Sequence, residues 1–171
     1  PTFGEHPMLI AELRITYADG STEVVATGPD WKADLTEIRY SDIYMGEKFC
    51  ADLADPAIYL REGRIPVTVC QPKARIEWQS GAPVRRVMTL KPVAVDRRAN
   101  GAIVVDFGQN LAGRERLRIP KAGRGAVVTV RHGEMLNPDG SLYVENLRSA
   151  AASTVYVTGD KADVYEPKFT F

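Results

Sequence analysis

Short runs of alternating side chains, cut at near-regular intervals by glycine, proline and asparagine, constrain this chain more than any other feature. Asp106-Phe107-Gly108-Gln109-Asn110-Leu111-Ala112-Gly113 and His132-Gly133-Glu134-Met135-Leu136-Asn137-Pro138-Asp139-Gly140-Ser141-Leu142-Tyr143 are two such punctuated segments, and they bracket a pair of alternating strands. Other strands are predicted over 9–17, 22–27, 65–69, 74–78, 84–95, 102–107, 114–119, 126–132, 154–158 and the aromatic stretch 164–171. The first two join through Ala18-Asp19-Gly20-Ser21, a hairpin turn with Asp-Gly at its centre. Period-2 patterning with frequent turns predicts an all-β architecture of the sandwich or jelly-roll kind. A single helical turn is predicted over 144–152, where Leu147, Ala150 and Ala151 share helical spacing and Asn146 or Asp139 would cap it.

A length of 171 residues suits one domain, or one complete and one partial domain. Pro72, Gly81 and Pro83 concentrate where an unbroken run of strand signals begins. The expected organisation is therefore one β unit over 1–72 and a second over 73–171. The first is short enough to be marginal on its own, and is expected to be the later part of a larger domain. The chain opens on Pro1-Thr2-Phe3-Gly4 and stops inside an aromatic strand with no turn after it. A segment of a longer polypeptide is the expectation, with exposed strand edges that favour a homodimer.

Lysine plus arginine and aspartate plus glutamate are equal at 22 each, so no basic excess marks a nucleic-acid partner or a membrane-surface stripe. No apolar run approaches bilayer length, and no charged-then-apolar leader opens the chain. Cys50 and Cys70 fit no metal or thioredoxin-type spacing; free thiols are expected, with a disulfide between them left open. No cofactor is implied.

Each constellation of polar residues has a structural reading beside a chemical one. Asp106, Gln109 and Asn110 could offer oxygens to calcium or a sugar, but such side chains more often bond their own turn backbone. Arg114, Arg116 and Arg118 alternate with Glu115, Leu117 and Ile119, which predicts a solvated arginine face with acidic neighbours. Glu115 then falls on the apolar face and must lie near an edge or pair with a cation. His132-Gly133-Glu134 suggests acid–base or metal chemistry, yet His6 is the one other histidine and no serine or cysteine stands in a nucleophile-elbow context. No catalytic residue and no metal ligand is assigned. Asp42-Ile43-Tyr44-Met45-Gly46-Glu47, with Trp31 and Tyr40 nearby, combines aromatic faces with carboxylates, as sugar-binding surfaces do. Trp31, Tyr40, Asp42, Tyr44 and Glu47 are the candidate carbohydrate-binding residues. Glycoside hydrolysis would require two carboxylates straddling a bond in a cleft, and no such pair is legible.

The two turn segments, together with Glu145-Asn146-Leu147-Arg148 and Tyr165-Glu166-Pro167-Lys168-Phe169-Thr170-Phe171, resemble the concanavalin-like accessory β-sandwich of bacterial α-L-rhamnosidases. Leu9-Ile10-Ala11-Glu12-Leu13, Tyr17-Ala18-Asp19-Gly20-Ser21, Trp31-Lys32 and Ser41-Asp42-Ile43-Tyr44-Met45-Gly46-Glu47 resemble the later part of that family's amino-terminal β-sandwich, related to a rhamnose-binding module. The resemblance implies an all-β chain: a partial jelly-roll-like unit followed by a concanavalin-like antiparallel β-sandwich. It implies a non-catalytic portion of a glycoside hydrolase, with catalysis in an (α/α)6 domain of the same parent chain as its partner. Rhamnose-containing glycans are the implied ligands. The chain departs from the family at Lys48-Phe49-Cys50-Ala51-Asp52, and at Arg114 and Glu115.

Overall fold

The computed structural model describes residues 6–55, 57, 63–70 and 75–168. These residues form an all-β protein with no α-helix; the helical content is two 3-10 turns, Ala51–Leu53 and Glu145–Leu147. Among the described residues no helix is long and apolar enough to cross a membrane. Residue contacts divide the chain into two units, 1–34 with 60–85, and 35–59 with 86–171. The division does not follow a single cut, because residues 46–50 lie within a sheet completed by residues 153–157. The expected boundary at residue 72 falls outside the described residues.

The first unit contains two ribbons. β1 (Glu12–Thr16) and β2 (Thr22–Ala26) form the expected hairpin, with Leu13 opposite Val25 and Ile15 opposite Glu23. Gly20 N–H donates to Tyr17 O, and the Asp19 carboxylate accepts from Ser21, which closes the turn. β3 (Lys32–Ala33) pairs antiparallel with β6 (Ile65–Pro66), and Arg64 beside β6 makes a two-pronged bond to Asp34 at 2.9 and 3.2 Å. The exposed Cys70 is a free thiol, as is Cys50 in the second unit.

The second unit is built on a four-stranded sheet in the order β10 (Val127–Arg131), β13 (Ser153–Val157), β5 (Gly46–Cys50), β4 (Ile38–Asp42). β4–β5 and β10–β13 are antiparallel, whereas β5 and β13 run parallel, Thr154 beside Glu47 and Tyr156 beside Phe49. A parallel neighbour needs a long crossover, and here some hundred residues of chain separate the partners. Over this sheet lies a ribbon of β9 (Leu117–Ile119) and β14 (Asp163–Tyr165). Ile119, Tyr156 and Tyr165 form the buried core, with Phe49, Leu117 and Val128 packed against them. The Phe49, Tyr156 and Tyr165 rings meet with centroids 4.9–5.6 Å apart, offset or tilted as their quadrupoles prefer. Two smaller ribbons complete the unit: β7 (Ala94–Arg97) with β8 (Ile103–Asp106), and β11 (Met135–Leu136) with β12 (Leu142–Tyr143) across the Asn137–Ser141 turn.

Two expectations change. The segments 75–78 and 84–93 form no strand ladder; pairing starts only at Ala94. Alternation signals an extended backbone, but a ladder also needs a neighbouring edge, and Trp78 and Val84 stand 95% and 90% exposed. The predicted helical turn contracts to Glu145–Leu147, and neither proposed residue caps it. Val144 holds the N-cap position without a side-chain bond, Asn146 lies inside the turn, and Asp139 is engaged with Ser141.

Candidate functional site

Alternation along β5 sends Glu47 and Phe49 to the inner face of the sheet and Lys48 to the outer face. Glu47 is 2% exposed, and both its oxygens are committed. Tyr165 Oη–H donates to Oε1 at 2.6 Å, and the Lys168 backbone N–H donates to Oε2 at 3.0 Å. One carboxylate therefore fastens the covering ribbon and the segment after it to the central sheet. Burial, then the hydrogen bond to Glu47, push the Tyr165 hydroxyl far above its ordinary pKa of 10. Tyr156 is raised in the same direction by burial and by its bond to Asp163 at 2.7 Å.

A second buried polar pair lies on the same inner face. Residues 113, 115, 117 and 119 turn inward while Arg114, Arg116 and Arg118 turn out, as the sequence alternation predicts. Arg116 and Arg86 both bond Glu166, and Arg114 donates to Pro167 O at 3.0 Å, so the arginine face has its acidic neighbour. Inward-facing Glu115, its side chain 10% exposed, accepts from His132 Nε2 at 3.0 Å. The other ring nitrogen, Nδ1, donates to Ala152 O at 3.0 Å. Both partners are acceptors, so both are satisfied only by an imidazolium. Burial alone would depress the His132 pKa, but the Glu115 carboxylate and the Ala152 carbonyl more than offset it and hold the ring above its ordinary 6.5. Burial likewise works to raise Glu115, yet the bond from His132 and the nearby Thr154 hydroxyl bring it below 4.5. Thr154 Oγ1 acts through its dipole here, since neither it nor Glu115 Oε1 is within hydrogen-bond geometry of a partner.

The sign of the pH dependence follows. The raised His132 stabilises the fold fully below pH 6.5, and this contribution is lost as pH rises through its folded pKa. The lowered Glu115 contributes fully above pH 4.5, and this is lost as pH falls through its folded pKa. The pair is thus expected to stabilise most between pH 4.5 and 6.5. Urea midpoints followed from this range to higher pH should fall above pH 6.5 in the wild type and stay flatter in His132→Gln. Parallel alkaline limbs in the two proteins would remove the imidazolium from the account.

The five candidate carbohydrate residues occupy different settings. Trp31 belongs to the first unit, and Tyr40, Asp42, Tyr44 and Glu47 to the second. Tyr40 and Tyr44 are 49% and 63% exposed. Tyr40 lies opposite Lys48 on the outer face, whereas Ser41 lies opposite Glu47. Asp42 Oδ1 accepts from the backbone N–H groups of Met45 and Tyr44, both at 2.8 Å, and these bonds lower its pKa. Glu47 faces the interior, so burial separates it from the tyrosines. Asp106, the other oxygen-rich candidate, accepts from Gly108 N–H at 2.7 Å, the turn-closing bond expected of it. Among the described residues no group of three or more histidine, cysteine, aspartate or glutamate side chains is placed to hold a metal.

Sequence reasoning singled out Glu115 and His132 separately and missed their pairing; it also missed Tyr165 as the partner of Glu47. The signal for the first existed: alternation over 114–119 and over 126–132 sends both side chains inward. Nothing local indicates that residues 47 and 165 meet.

Two family descriptions match the chain: the α-L-rhamnosidase N-terminal domain over residues 1–87, and the bacterial α-L-rhamnosidase concanavalin-like domain over 96–171. Among curated relatives, an α-L-rhamnosidase of Streptomyces avermitilis is 37% identical across 99% of this chain and 17% of its own length. One from Alteromonas sp. (strain LOR) is 30% identical across 96% of this chain and 19% of its own. The chain thus spans less than a fifth of the length of these relatives. The crystal structure of the Streptomyces avermitilis α-L-rhamnosidase complexed with L-rhamnose superposes with a TM-score of 0.82 at 35% identity, over 94% of this chain and 16% of that one. The Dictyoglumus thermophilum α-L-rhamnosidase gives 0.80 at 26% identity, over 94% and 19%. Matched along both halves of its length and in fold, the chain belongs to the bacterial α-L-rhamnosidase family, through that family's N-terminal and concanavalin-like domains.

Proposed function

We propose that this chain is a non-catalytic accessory β-sandwich portion of an α-L-rhamnosidase-like glycoside hydrolase, and that it scaffolds a catalytic domain of the (α/α)6 kind. The observation that supports this reading is the commitment of the inward-facing carboxylates. Glu47 is bonded to Tyr165 and Lys168, and Glu115 to His132. A hydrolytic pair must instead face a sugar across several ångströms, with one acid free to give up its proton. Two shallow depressions, one lined by Arg118, Ile119, Asp163 and Val164 and the other by Asn110, Leu111 and Glu134, contain neither Glu47 nor Glu115. The purified chain is expected to release nothing from an aryl α-L-rhamnoside. Added to a rhamnosidase polypeptide that lacks the matching segment, it should raise that polypeptide's melting temperature. Hydrolysis by the chain alone, or an unchanged melting temperature, overturns the scaffold reading.

A second reading, a carbohydrate-binding module with a jelly-roll-like earlier unit, draws on Tyr40 and Tyr44, exposed aromatics flanking Asp42. In it Tyr40, Asp42 and Tyr44 contact rhamnose, and Glu47 supports the strand from beneath; Trp31 belongs to the other unit. Calorimetric titration with L-rhamnose separates the two readings. Millimolar or tighter binding that is lost in Tyr44→Ala supports the module, and absence of heat leaves the scaffold.

A further inference from the structure

We propose that one face of the β7–β8 ribbon is a docking surface for further rhamnosidase polypeptide, of the kind that makes up the rest of the relatives' chains. The proposal rests on the scaffold reading and assigns it a surface. In the antiparallel register Val95 lies opposite Val105 and Arg97 opposite Ile103. The bond from Val93 N–H to Asp106 O departs from this register, because Asp106 already lies opposite Ala94, so the regular ladder begins at Ala94. Directly opposed residues share a face, and every second residue follows them. Val95, Ile103, Val105 and, by alternation, Phe107 therefore make one continuous apolar face, and all four are solvent-exposed, from 60% at Val95 to 36% at Phe107. The charged side chains Asp96 and Asp106 fall on the opposite face, which leaves only Arg97 at the rim.

A two-stranded ribbon with a bare apolar face is marginally stable in water, and neither strand joins another sheet among the described residues. The absence of charge at the centre of the face matches the buried core of a protein interface rather than a surface that reads glycan hydroxyls or phosphates. The extent of exposed surface distinguishes a large partner from a second copy. Exposed apolar side chains of the second unit are not confined to this ribbon: Val87, Met88 and Val127 are 86%, 60% and 62% exposed. A standard association buries about 1600 Å² in total. One two-fold contact through this ribbon would leave that further apolar surface uncovered. The relatives carry more than four-fifths of their length beyond the part this chain matches, and that polypeptide is large enough to cover it.

The test titrates the chain into the Streptomyces avermitilis α-L-rhamnosidase polypeptide expressed without its matching segment. It compares wild type with Val95→Lys, Val105→Lys and, as a control elsewhere in the second unit, Lys121→Ala. Binding by the wild type, weakened at least tenfold in both valine variants and unchanged in the control, supports the assignment. Melting temperatures check that the variants fold, and Val95→Thr replaces any lysine variant that does not. Binding that ignores the valine variants overturns the surface assignment alone. Absence of wild-type binding overturns the scaffold reading along with it. A chain that light scattering shows as a dimer, dissociated by Val95→Lys, assigns the face to a second copy and overturns the proposal.

Discussion

Gly46→Ala is expected to destabilise the second unit by about 3–5 kcal/mol, enough to leave much of the protein insoluble or unfolded at ambient temperature. Gly46 begins β5 at φ +105°, a conformation that an alanine resists, and an added Cβ would collide with the Ser153 carbonyl oxygen and lie 2.8 Å from its carbonyl carbon. Both obstacles are backbone atoms of β13, which cannot rotate aside. Since β5 and β13 are the parallel pair that unites residues 46–50 with the end of the chain, relief by sliding would break the seam of the four-stranded sheet. Gly101→Ala is the control: φ is +84° there too, but nothing lies within 4 Å of the added carbon. It should cost only the conformational penalty, about 1 kcal/mol. Urea unfolding of both variants checks the difference. Equal losses would mean that the close approach of Gly46 to Ser153 contributes nothing.

Glu47→Ala should cost about 3 kcal/mol, because it leaves two buried donors, Tyr165 Oη–H and Lys168 N–H, without an acceptor. Tyr165→Phe should cost less, about 1–2 kcal/mol, since the carboxylate keeps its bond to Lys168. Glu47→Gln retains an acceptor for Tyr165 and should fall between wild type and alanine. In the double variant Glu47→Ala/Tyr165→Phe the loss should be smaller than the sum of the single losses, as expected for residues that share a bond. Strict additivity in that cycle would show that the bond contributes nothing. These losses should be read in the folded chain's own unfolding transition, because Glu47 acts by fastening the β9–β14 ribbon to the sheet beneath it.

Several elements were legible in the residues alone. Asp19-Gly20 and Asn137-Pro138-Asp139-Gly140 predicted tight turns between strands, and both form through bonds local to the turn. Alternation over 114–119 set the arginines outward and Glu115 inward, and burial followed it residue by residue. Glu115 was expected to lie near an edge or to pair with a cation; it bonds His132, a pairing that was not foreseen. Over 75–78 and 84–93 the same reasoning gave strand where the chain forms none, because alternation reports which residues could share a face and not whether an edge is present to pair with. The candidate carbohydrate cluster treated Glu47 as a surface acid beside Tyr44. Tyr44 lies in the turn before β5, and alternation along β5 placed Glu47 inside.

The sequence by itself determined what depends on neighbours within a few residues: an all-β chain, its tight turns, the inward and outward faces of its strands, and a family resemblance carried by contiguous motifs. Tertiary structure alone decided that β5 runs parallel to β13, that Glu47 meets Tyr165, and that Glu115 meets His132. Those partners stand 17 to 118 residues apart. Period-2 patterning specifies a face but carries no register or address, so which distant strand occupies the neighbouring position is settled only when the whole sheet closes over its core.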